Sequence, residues 1–380
     1  MNLTAEFLTS IAEIPAQEWE AVCGTDYPFL RHHFLLGLET AGCTTEDSGW
    51  QPCHLLLRDD SGSALAALPL YLKSHSYGEY VFDWSWAQAW QQAGLNYYPK
   101  LVSAIPFTPA TGPRLCHRPT ISREQAWQAA LSALETFAGK HAISGWHLLF
   151  PERADSDYLL AQGYAQRRAV QFHWVNEGYG CFDDFLATFA SRKRKSLRRE
   201  RRLVEEQGLA LETLEGDAIS AQDWETFHRF YQLTYAKRSG HGGYLTREFF
   251  TRVAAGMGSQ VIMVIARLAG EAVAAALYFR SSDTLYGRYW GCQREFDCLH
   301  FEACYYRGIE YCIEQGIARF DPGAQGEHKI QRGFRPVETV SNHWVADERL
   351  RRAVADFTRR EGPHIEAYRR EAETLLPFRR

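Results

Sequence analysis

The sequence lacks several features that would assign a protein to a class at once. No apolar run reaches the roughly 18 residues that a membrane-spanning helix needs. The first residues form no basic n-region and include Glu6 and Glu13, so we expect no secretory signal peptide. Apolar residues make up 46% of the chain and charged residues 23%, a balance typical of globular proteins. Together these features predict a soluble, cytoplasmic protein.

Cysteine is present, but without a disulfide or zinc pattern. The nine cysteines are odd in number and include no CxxC pair, which fits reduced thiols in protein cores. Cys298, His300 and Cys304 have a loosely metal-like spacing, but no fourth ligand is evident. We therefore predict no bound metal.

Positive charge is slightly outnumbered by negative charge overall but is concentrated in one place. The net charge of −4 excludes wholesale electrostatic capture of nucleic acid. Yet in RKRKSLRRERR, residues 192–202, only Ser196, Leu197 and Glu200 are not basic. A helix this basic presents either a solvated face or an anion-binding face, and the sequence leaves both open.

The length of 380 residues predicts two domains, and an internal repeat supports this. LLLRDDSGSALAALPLYLKSHSYGEYVFDW, from Leu55, and VIARLAGEAVAAALYFRSSDTLYGRYW, from Val264, share a strand ending in Arg, a glycine turn and an alanine-rich strand. Trp84 corresponds to Trp290, and each copy continues with a helix, a glycine and a short strand. We predict two copies of one α/β unit, residues 1–176 and 177–380, the second including a basic helix over 184–207.

Most elements of the first copy follow from local signals. We expect a hairpin of strands over 54–58 and 64–73, a strand over 78–84, and a capped helix after Ser122. The aromatic segment 93–115, which contains several prolines, predicts an ordered loop with a strand near 101–104. We expect it to expose four side chains to a cleft, namely Tyr97, Tyr98, Lys100 and Arg114.

The stretch 285–343 carries the strongest functional signal. It predicts a strand over 285–290, a helix over about 301–315, a strand over 317–320 and a glycine-rich polar loop. That loop concentrates ionisable side chains, namely Asp321, Glu327, His328, Lys329 and Arg332. Charged groups on a loop between rigid elements often do chemistry, so we predict an active-site wall here, the alternative being a solvated loop. The tail from residue 351 predicts a terminal helix pair.

The order of elements resembles the GNAT acyltransferase unit, present here twice, and the details resemble its FemAB-type branch. Residues 193–199 are similar to that branch's basic helix. Residues 230–238, with the glycine loop Ser239-Gly240-His241-Gly242-Gly243-Tyr244, are similar to its aromatic helix and loop, and 320–323 with 328–334 to its closing motif. The sequence departs from the pattern in having Asp-Pro-Gly-Ala for Asp-x-Gly-Gly and in the long 85–118 segment. It is most similar to the FemAB-like N-acyltransferases, described as peptidoglycan biosynthesis or recognition proteins.

This resemblance implies an α/β fold of two tandem GNAT-like units with central mixed sheets, linked by a basic helix. It also implies an N-acyltransferase that transfers an aminoacyl or acyl group to an amine, such as one on a peptidoglycan precursor linked to lipid or nucleotide. The alternatives are a CoA-dependent small-molecule N-acyltransferase and a non-catalytic binder of cell-wall precursors.

Acyl transfer needs a neutral amine, an oxyanion stabiliser and an acid for the leaving group. Lys329 is the first candidate, because the family motif places a lysine there, and His328, Glu327 and Asp321 are candidates for moving the proton. The predicted substrate-binding residues are Arg332, Tyr97, Tyr98, Lys100, Tyr244 and Trp290. Those predicted to bind the donor or a phosphate are Lys193, Arg194 and Arg198.

The donor is either aminoacyl-tRNA or acyl-CoA, used as a cosubstrate rather than as a bound cofactor. Residues 291–297 lack the second and third glycines of the loop that binds the CoA pyrophosphate. A tRNA donor needs a basic surface with aromatic side chains for its unpaired 3′ end, and the 192–202 helix with Tyr97, Tyr98 and Tyr244 is the candidate.

Overall fold

The computed structural model describes residues 3–240, 242–324 and 326–379. His241 of the predicted glycine loop and Gln325 of the polar loop lie outside the described residues.

Strands and helices occur along the whole described chain. The strands are β1 (Thr4–Leu8), β2 (Trp50–Pro52), β3 (His54–Arg58), β4 (Ala64–Leu68), β5 (Tyr71–Lys73), β6 (Lys100–Ser103), β7 (Cys116–His117), β8 (Gly145–Leu149), β9 (Ala165–Val175), β10 (Leu209–Glu215), β11 (Val261–Leu268), β12 (Glu271–Arg280), β13 (Thr284–Cys292), β14 (Arg319–Asp321) and β15 (Arg335–Val345). The helices are α1 (Ala16–Cys23), α2 (His32–Thr40), α3 (Trp84–Gln92), α4 (Arg123–Lys140), α5 (Arg153–Ala161), α6 (Phe182–Ala187), α7 (Ser191–Glu206), α8 (Ala221–Ser239), α9 (Arg247–Gly256), α10 (Leu299–Phe301), α11 (Arg307–Glu314) and α12 (Glu348–Thr374). A π-helical turn (Glu302–Tyr306) joins α10 to α11.

The chain divides into two compact units. Unit 1 comprises residues up to 169 together with 338–366, and unit 2 comprises 170–337 together with the residues from 367 onward. The predicted limits of the repeated domains, 1–176 and 177–380, stay a prediction.

Unit 1 contains two strand ladders and a helix-covered core. β1, β3, β4 and β7 pair antiparallel in that order, and β15, β8, β6, β5 and β2 form a second series in which β6 and β8 are parallel. Helix α4 makes the crossover between these parallel strands. Its capping box, Ser122 with Gln125, is the one predicted from the sequence. One face of α4 buries Trp127, Ala130 and Leu134 in the core.

Unit 2 is built around the series β10, β11, β12, β13, β14 and β9. The pairs are antiparallel except that β13 and β14 are parallel, with α10, the π-helical turn and α11 as their crossover. Each unit thus has a hairpin, a strand, a crossover helix and a parallel strand. The predicted mixed α/β class is confirmed.

Four of the predicted elements are wrong, and with one of them the correspondence of Trp84 to Trp290. Residues 78–84 form no strand; instead α3 begins at Trp84, because Trp86 and Trp90, one helical turn apart, are both buried. Trp84 is therefore not the structural counterpart of Trp290, which lies in β13.

The predicted basic helix over 184–207 is divided into α6 and α7. The backbone between them pairs elsewhere: the Ala190 N–H donates to the Pro377 carbonyl, and the Arg379 N–H donates to the Thr188 carbonyl. The predicted single strand over 64–73 is likewise divided into β4 and β5, and the predicted terminal helix pair is one helix, α12, with Pro363 inside it.

Candidate active site

The polar loop of unit 2 lies where β14 ends. β14 is parallel to β13 and ends at Asp321, opposite Tyr286 near the start of β13. The loop therefore follows the carboxyl end of a parallel strand, the usual place for a ligand site in such sheets. The loop folds into a 3-10 turn, Glu327–Arg332, between Gly326 and Gly333. Gly333 has φ of 85°, and a Cβ there would lie 2.7 Å from Phe185, so only glycine fits.

A β-bulge places an arginine in this site. Tyr278 of β12 pairs with Gly287 and Leu277 pairs with Tyr289, which leaves Arg288 as the additional residue of β13. A bulge changes the direction of a side chain, and here the buried guanidinium meets Asp321 at the end of β14, Nη2 to Oδ2 2.7 Å.

Both carboxylate oxygens of Asp321 accept hydrogen bonds within the protein. Its Oδ1 accepts the Gly323 N–H at 2.8 Å and lies 3.6 Å from His173 Nε2. Burial raises the pKa of Asp321, but the charge of Arg288, the His173 ring and the hydrogen bonds outweigh it and hold the pKa at about 2. Asp321 is therefore ionised at neutral pH.

Lys329, the predicted catalytic residue, lies next to this pair and is buried at 2% exposure. Its Nζ donates to the Gly323 carbonyl at 2.6 Å. Burial lowers its pKa to about 8, with Asp321 partly opposing and Arg288 adding to the shift. Lys329 is thus a buried cation that gives up its proton far more easily than a surface lysine.

Arg332, predicted to bind substrate, is buried and held within the protein. Its Nη2 donates to both carboxylate oxygens of Glu200 at 3.0 Å, and its Nη1 donates to the His328 carbonyl at 2.8 Å. The guanidinium lies 3.4 Å from the centre of the Phe301 ring. Tyr306 also donates to Glu200.

The remaining two loop candidates reach the surface. His328 is exposed, and its Nε2 is 2.9 Å from the Tyr305 hydroxyl. Partial burial of the ring, with Arg332 and Lys329 nearby, lowers the pKa of His328. Glu327 is exposed and accepts the Tyr368 hydroxyl at 2.7 Å.

Several site residues were not predicted from the sequence, namely His173, Glu200, Arg288, Tyr305 and Tyr306. The two tyrosines come from the π-helical turn, a feature common at functional sites and without a clear sequence signal. Glu200 did have a sequence signal, because it is the single acidic residue within the basic run 192–202.

Helix α7 has an inward and an outward face. Inward, Arg201 makes two bonds to Glu302, at 2.9 and 3.0 Å, and one to Glu310 at 2.6 Å. The outward basic side chains are Arg192, Lys195, Arg198, Arg199 and Arg202.

The three residues predicted to bind the donor differ in position. Lys193 donates to the Gln331 side chain and so touches the 3-10 turn of the site. Arg194 is half-buried, and Arg198 pairs on the surface with Asp183 at 2.8 Å. Their predicted role stays a prediction.

Trp290 and Tyr244 are both half-buried in unit 2. The Trp290 ring lies 5.4 Å from that of His300, which in turn is 6.3 Å from His328, so Trp290 is near the loop. The Tyr244 N–H donates to the Tyr231 hydroxyl, and its ring is 6.1 Å from Tyr235.

The expected exposure of the candidates in unit 1 is wrong for three of the four. Tyr97, Lys100 and Arg114 are buried, and Tyr98 is half-buried. Lys100 begins β6 inside the sheet, and Arg114 uses its guanidinium to bind backbone carbonyls, among them those of Leu149 and Ala110.

Within the described ranges, no group of three or more His, Cys, Asp or Glu side chains is arranged to hold a metal ion. Nor does any helix among these residues have the length and apolar character to cross a membrane.

Solved structures share this fold. FemX is 13% identical, with a TM-score of 0.51 over 83% of this chain and 93% of its own. The C-terminal DUF2156 domain of a protein from Agrobacterium fabrum, described as a lysylphosphatidylglycerol synthetase, is 10% identical with a TM-score of 0.53 over 92% and 97%. L-PGS from Bacillus licheniformis is 13% identical with a TM-score of 0.50 over 86% and 95%. At these identities the likeness concerns the fold.

The predicted fold class of two GNAT-like units is confirmed. No curated protein matches the chain. The FemAB-like family, described as peptidoglycan biosynthesis/recognition, matches residues 10–380. Because that match covers nearly the whole sequence, the chain belongs to the FemAB-like family.

Proposed function

We propose that the protein is an N-acyltransferase that transfers an aminoacyl or acyl group to an amine on a peptidoglycan precursor, with the reaction at Lys329. The observation that carries the proposal is the buried Lys329 ammonium beside the Arg288–Asp321 pair, with its pKa lowered to about 8.

The reaction joins the amine nitrogen to the acyl carbonyl carbon and breaks the bond from that carbon to the leaving oxygen or sulfur. The amine loses one proton and the leaving group gains one. A lysine with a pKa near 8 suits this step, because its ammonium stabilises the oxyanion and can donate a proton to the leaving group.

His328 is a better candidate than Asp321 for the base that accepts the amine proton. Asp321, with a pKa of about 2 and a buried arginine partner, is a weak base. His328 has a lowered pKa and is exposed, so its imidazole is neutral at pH 7 and accessible. Glu327 remains a second candidate.

Aminoacyl-tRNA is the donor that the charge distribution favours. The outward face of α7 gives a basic surface of the kind that follows a phosphate backbone, and Lys193 links this helix to the 3-10 turn. The segment after β13 lacks the glycines of a CoA pyrophosphate loop, so acyl-CoA is the second choice.

A non-catalytic binder of cell-wall precursors is the second candidate function. The observation in its favour is that Arg288 and Arg332, two buried cations of the site, already have carboxylate partners, Asp321 and Glu200. Such a site can be a rigid receptor without turning over a substrate.

The test combines binding and turnover. Purified protein is titrated with aminoacyl-tRNA and with acetyl-CoA at low and high salt, and acyl transfer to a peptidoglycan precursor is measured for Lys329→Ala. The exposed Lys140 supplies the matched control, Lys140→Ala. An enzyme loses kcat at least about a hundredfold in Lys329→Ala, with substrate affinity changed much less.

Salt-sensitive binding of tRNA that is weakened in Arg192→Glu/Arg199→Glu supports the tRNA donor. Binding of CoA alone replaces it with the CoA-dependent enzyme. Precursor binding without turnover, reduced in Lys329→Ala, replaces the enzyme with the receptor.

A further inference from the structure

The segment 73–100 of unit 1 buries all of its Asp, Glu and Lys side chains and yet leaves three of its large aromatic side chains exposed, which is an unusual combination. Its acidic and basic residues are Lys73, Glu79, Asp83 and Lys100, and each is at most 3% exposed. By contrast Tyr77 and Phe82 are each 56% exposed and Trp84 is 41% exposed. We call these three exposed side chains the aromatic platform.

The buried charges fix the backbone of this segment from beneath. Lys100 Nζ donates to Ser76 Oγ and Glu79 Oε2, both at 2.8 Å, and to Asp83 Oδ2 at 2.5 Å. Lys73 Nζ lies 3.7 Å from the centre of the Trp50 ring and donates to the Tyr77 carbonyl at 3.3 Å.

Two further bonds hold the platform residues themselves. Trp50 Nε1 donates to the Tyr77 carbonyl at 3.0 Å, and Arg167 Nη1 donates to the Phe82 carbonyl at 2.7 Å. The Tyr77 and Trp84 rings are 5.1 Å apart, and Phe82 is two residues from Trp84. The exposed rings therefore stand on a fixed backbone.

This arrangement is not the one that stability alone favours. Burying ions costs free energy, and Glu79 Oε1 and Asp83 Oδ1 find no hydrogen-bond partner in the described part of the chain. Rings of this size would also gain free energy if buried. A ligand that binds the exposed rings explains why the charged cluster beneath them is kept despite its cost in free energy.

The surroundings of the platform define the chemistry of that ligand. Every exposed residue in 74–99 is uncharged, and besides the rings they include hydroxyl and amide side chains: Ser74, Ser85, Gln88, Gln91, Gln92 and Asn96. Arg167 of β9, which reaches the Phe82 carbonyl, is paired with Glu361 through Nε and Nη2, both at 2.9 Å, so its charge is already compensated. Exposed residues without charge offer nothing to the phosphates of nucleic acid or of anionic lipid. Aromatic faces attract the weakly positive C–H groups of a sugar ring, and amides both donate to and accept from its hydroxyl groups.

We infer that the aromatic platform of unit 1 binds a neutral glycan, with Tyr77 and Trp84 stacking on sugar rings and the glutamine side chains of α3 bonding to the hydroxyl groups. The inference deepens the proposed function, on which it rests for its biological role, by naming the sugar portion of the acceptor as the part that unit 1 recognises. Binding at the platform needs no acyl donor and no Lys329, so it is measured separately from catalysis.

The experiment titrates the full chain with an uncharged β-1,4-linked N-acetylglucosamine tetramer, followed by calorimetry and by the tryptophan fluorescence that Trp84 contributes. The variants are Tyr77→Gln and Trp84→Gln, and the matched control is Leu160→Gln, an exposed apolar residue on α5 of the same unit. All three side chains are exposed, so far-ultraviolet circular dichroism should be unchanged.

We expect saturable binding that is equal at low and high salt, weakened at least about tenfold in each platform variant and unchanged in Leu160→Gln. Absence of saturation with millimolar tetramer, or equal affinity in Trp84→Gln, overturns the inference. Platform-dependent binding of anionic vesicles or of single-stranded RNA in place of the tetramer also overturns it. If wild type binds the tetramer but transfers no acyl group, the proposed function fails and this inference stands.

Discussion

At the scale of single residues, burial decides the chemistry of Lys329. A lysine on the surface keeps its proton to about pH 10. Burial beside Arg288 lowers the pKa of Lys329 to about 8, although Asp321 opposes the shift. Its protonated fraction therefore changes within the range in which an enzyme can be assayed.

We expect kcat to fall as the pH rises through about 8, because Lys329 then loses the proton that it supplies to the oxyanion or leaving group. In Lys329→Arg the guanidinium stays charged, so the falling limb should move upward by at least about two pH units while the rate at pH 7 is reduced. Profiles of kcat against pH at saturating substrate, for wild type and variant, make the comparison. An identical falling limb in both would assign that limb to another group.

The Arg288–Asp321 pair predicts a stability effect. Asp321→Asn leaves the buried Arg288 without its counter-charge, which we expect to lower the free energy of unfolding by about 3–5 kcal/mol. The folded pKa of Asp321, about 2, lies below its ordinary value of 3.8, so the stabilisation is complete above about pH 4 and is lost as the pH falls toward 2.

Urea unfolding of unit 2 at pH 7 and at pH 3 measures this effect. The exposed Asp183, which pairs with Arg198 on the surface, provides the control Asp183→Asn, with an expected change below about 0.5 kcal/mol. Equal changes in the two variants would contradict the importance of the buried pair.

At the scale of elements, the basic side chains of α7 are divided between a face that packs on the protein and a face exposed to solvent. Leu197, Val204 and Arg201 face the protein, whereas Arg199 and its outward neighbours face solvent. Composition alone left a solvated face and an anion-binding face open, because it does not say which side chains have acidic partners.

We expect Arg201→Met to lower the free energy of unfolding by about 1–3 kcal/mol, because the buried Glu302 then loses both of its bonds to Arg201. Arg199→Met on the same helix should change stability by less than about 0.5 kcal/mol. Chemical denaturation of both variants tests the assignment of faces, and tRNA binding should show the opposite order, with Arg199→Met weaker and Arg201→Met close to wild type.

Elements with local signals were predicted well. The capping box of Ser122 with Gln125 begins α4, and the turn at 59–63 joins β3 to β4. The strand predicted over 78–84 failed, because an aromatic run fits a strand and a helix alike until the packing of Trp86 and Trp90 decides between them.

At the scale of the whole molecule, each unit is assembled from segments far apart in the chain. β15 supplies the antiparallel neighbour of β8, pairing Ser341 with Leu149 through Val345 with Gly145. Unit 2 likewise uses the end of the chain, where Ala372 enters its core and the Phe378 ring packs 5.3 Å from that of Phe189.

We expect a fragment ending at residue 169 to fail to form unit 1, because one edge of β8 would lose its ladder and the buried His147 would lose its contact with His343. Circular dichroism and heteronuclear NMR of this fragment, beside a version in which 338–366 is joined by a flexible linker, give the measurement. A well-dispersed spectrum from the short fragment would contradict the expectation.

The sequence by itself determined the local structure and the identity of the polar loop. Helix caps, turn glycines and the concentration of charge around Lys329 are properties of neighbouring residues, and so is the family motif that includes this lysine. The positions of Arg288, Glu200 and His173, and the burial of Lys100, depended on the tertiary structure. Contacts across more than a hundred residues, such as Glu200 with Arg332, bring these groups together, and burial then sets their pKa values, which no local pattern records.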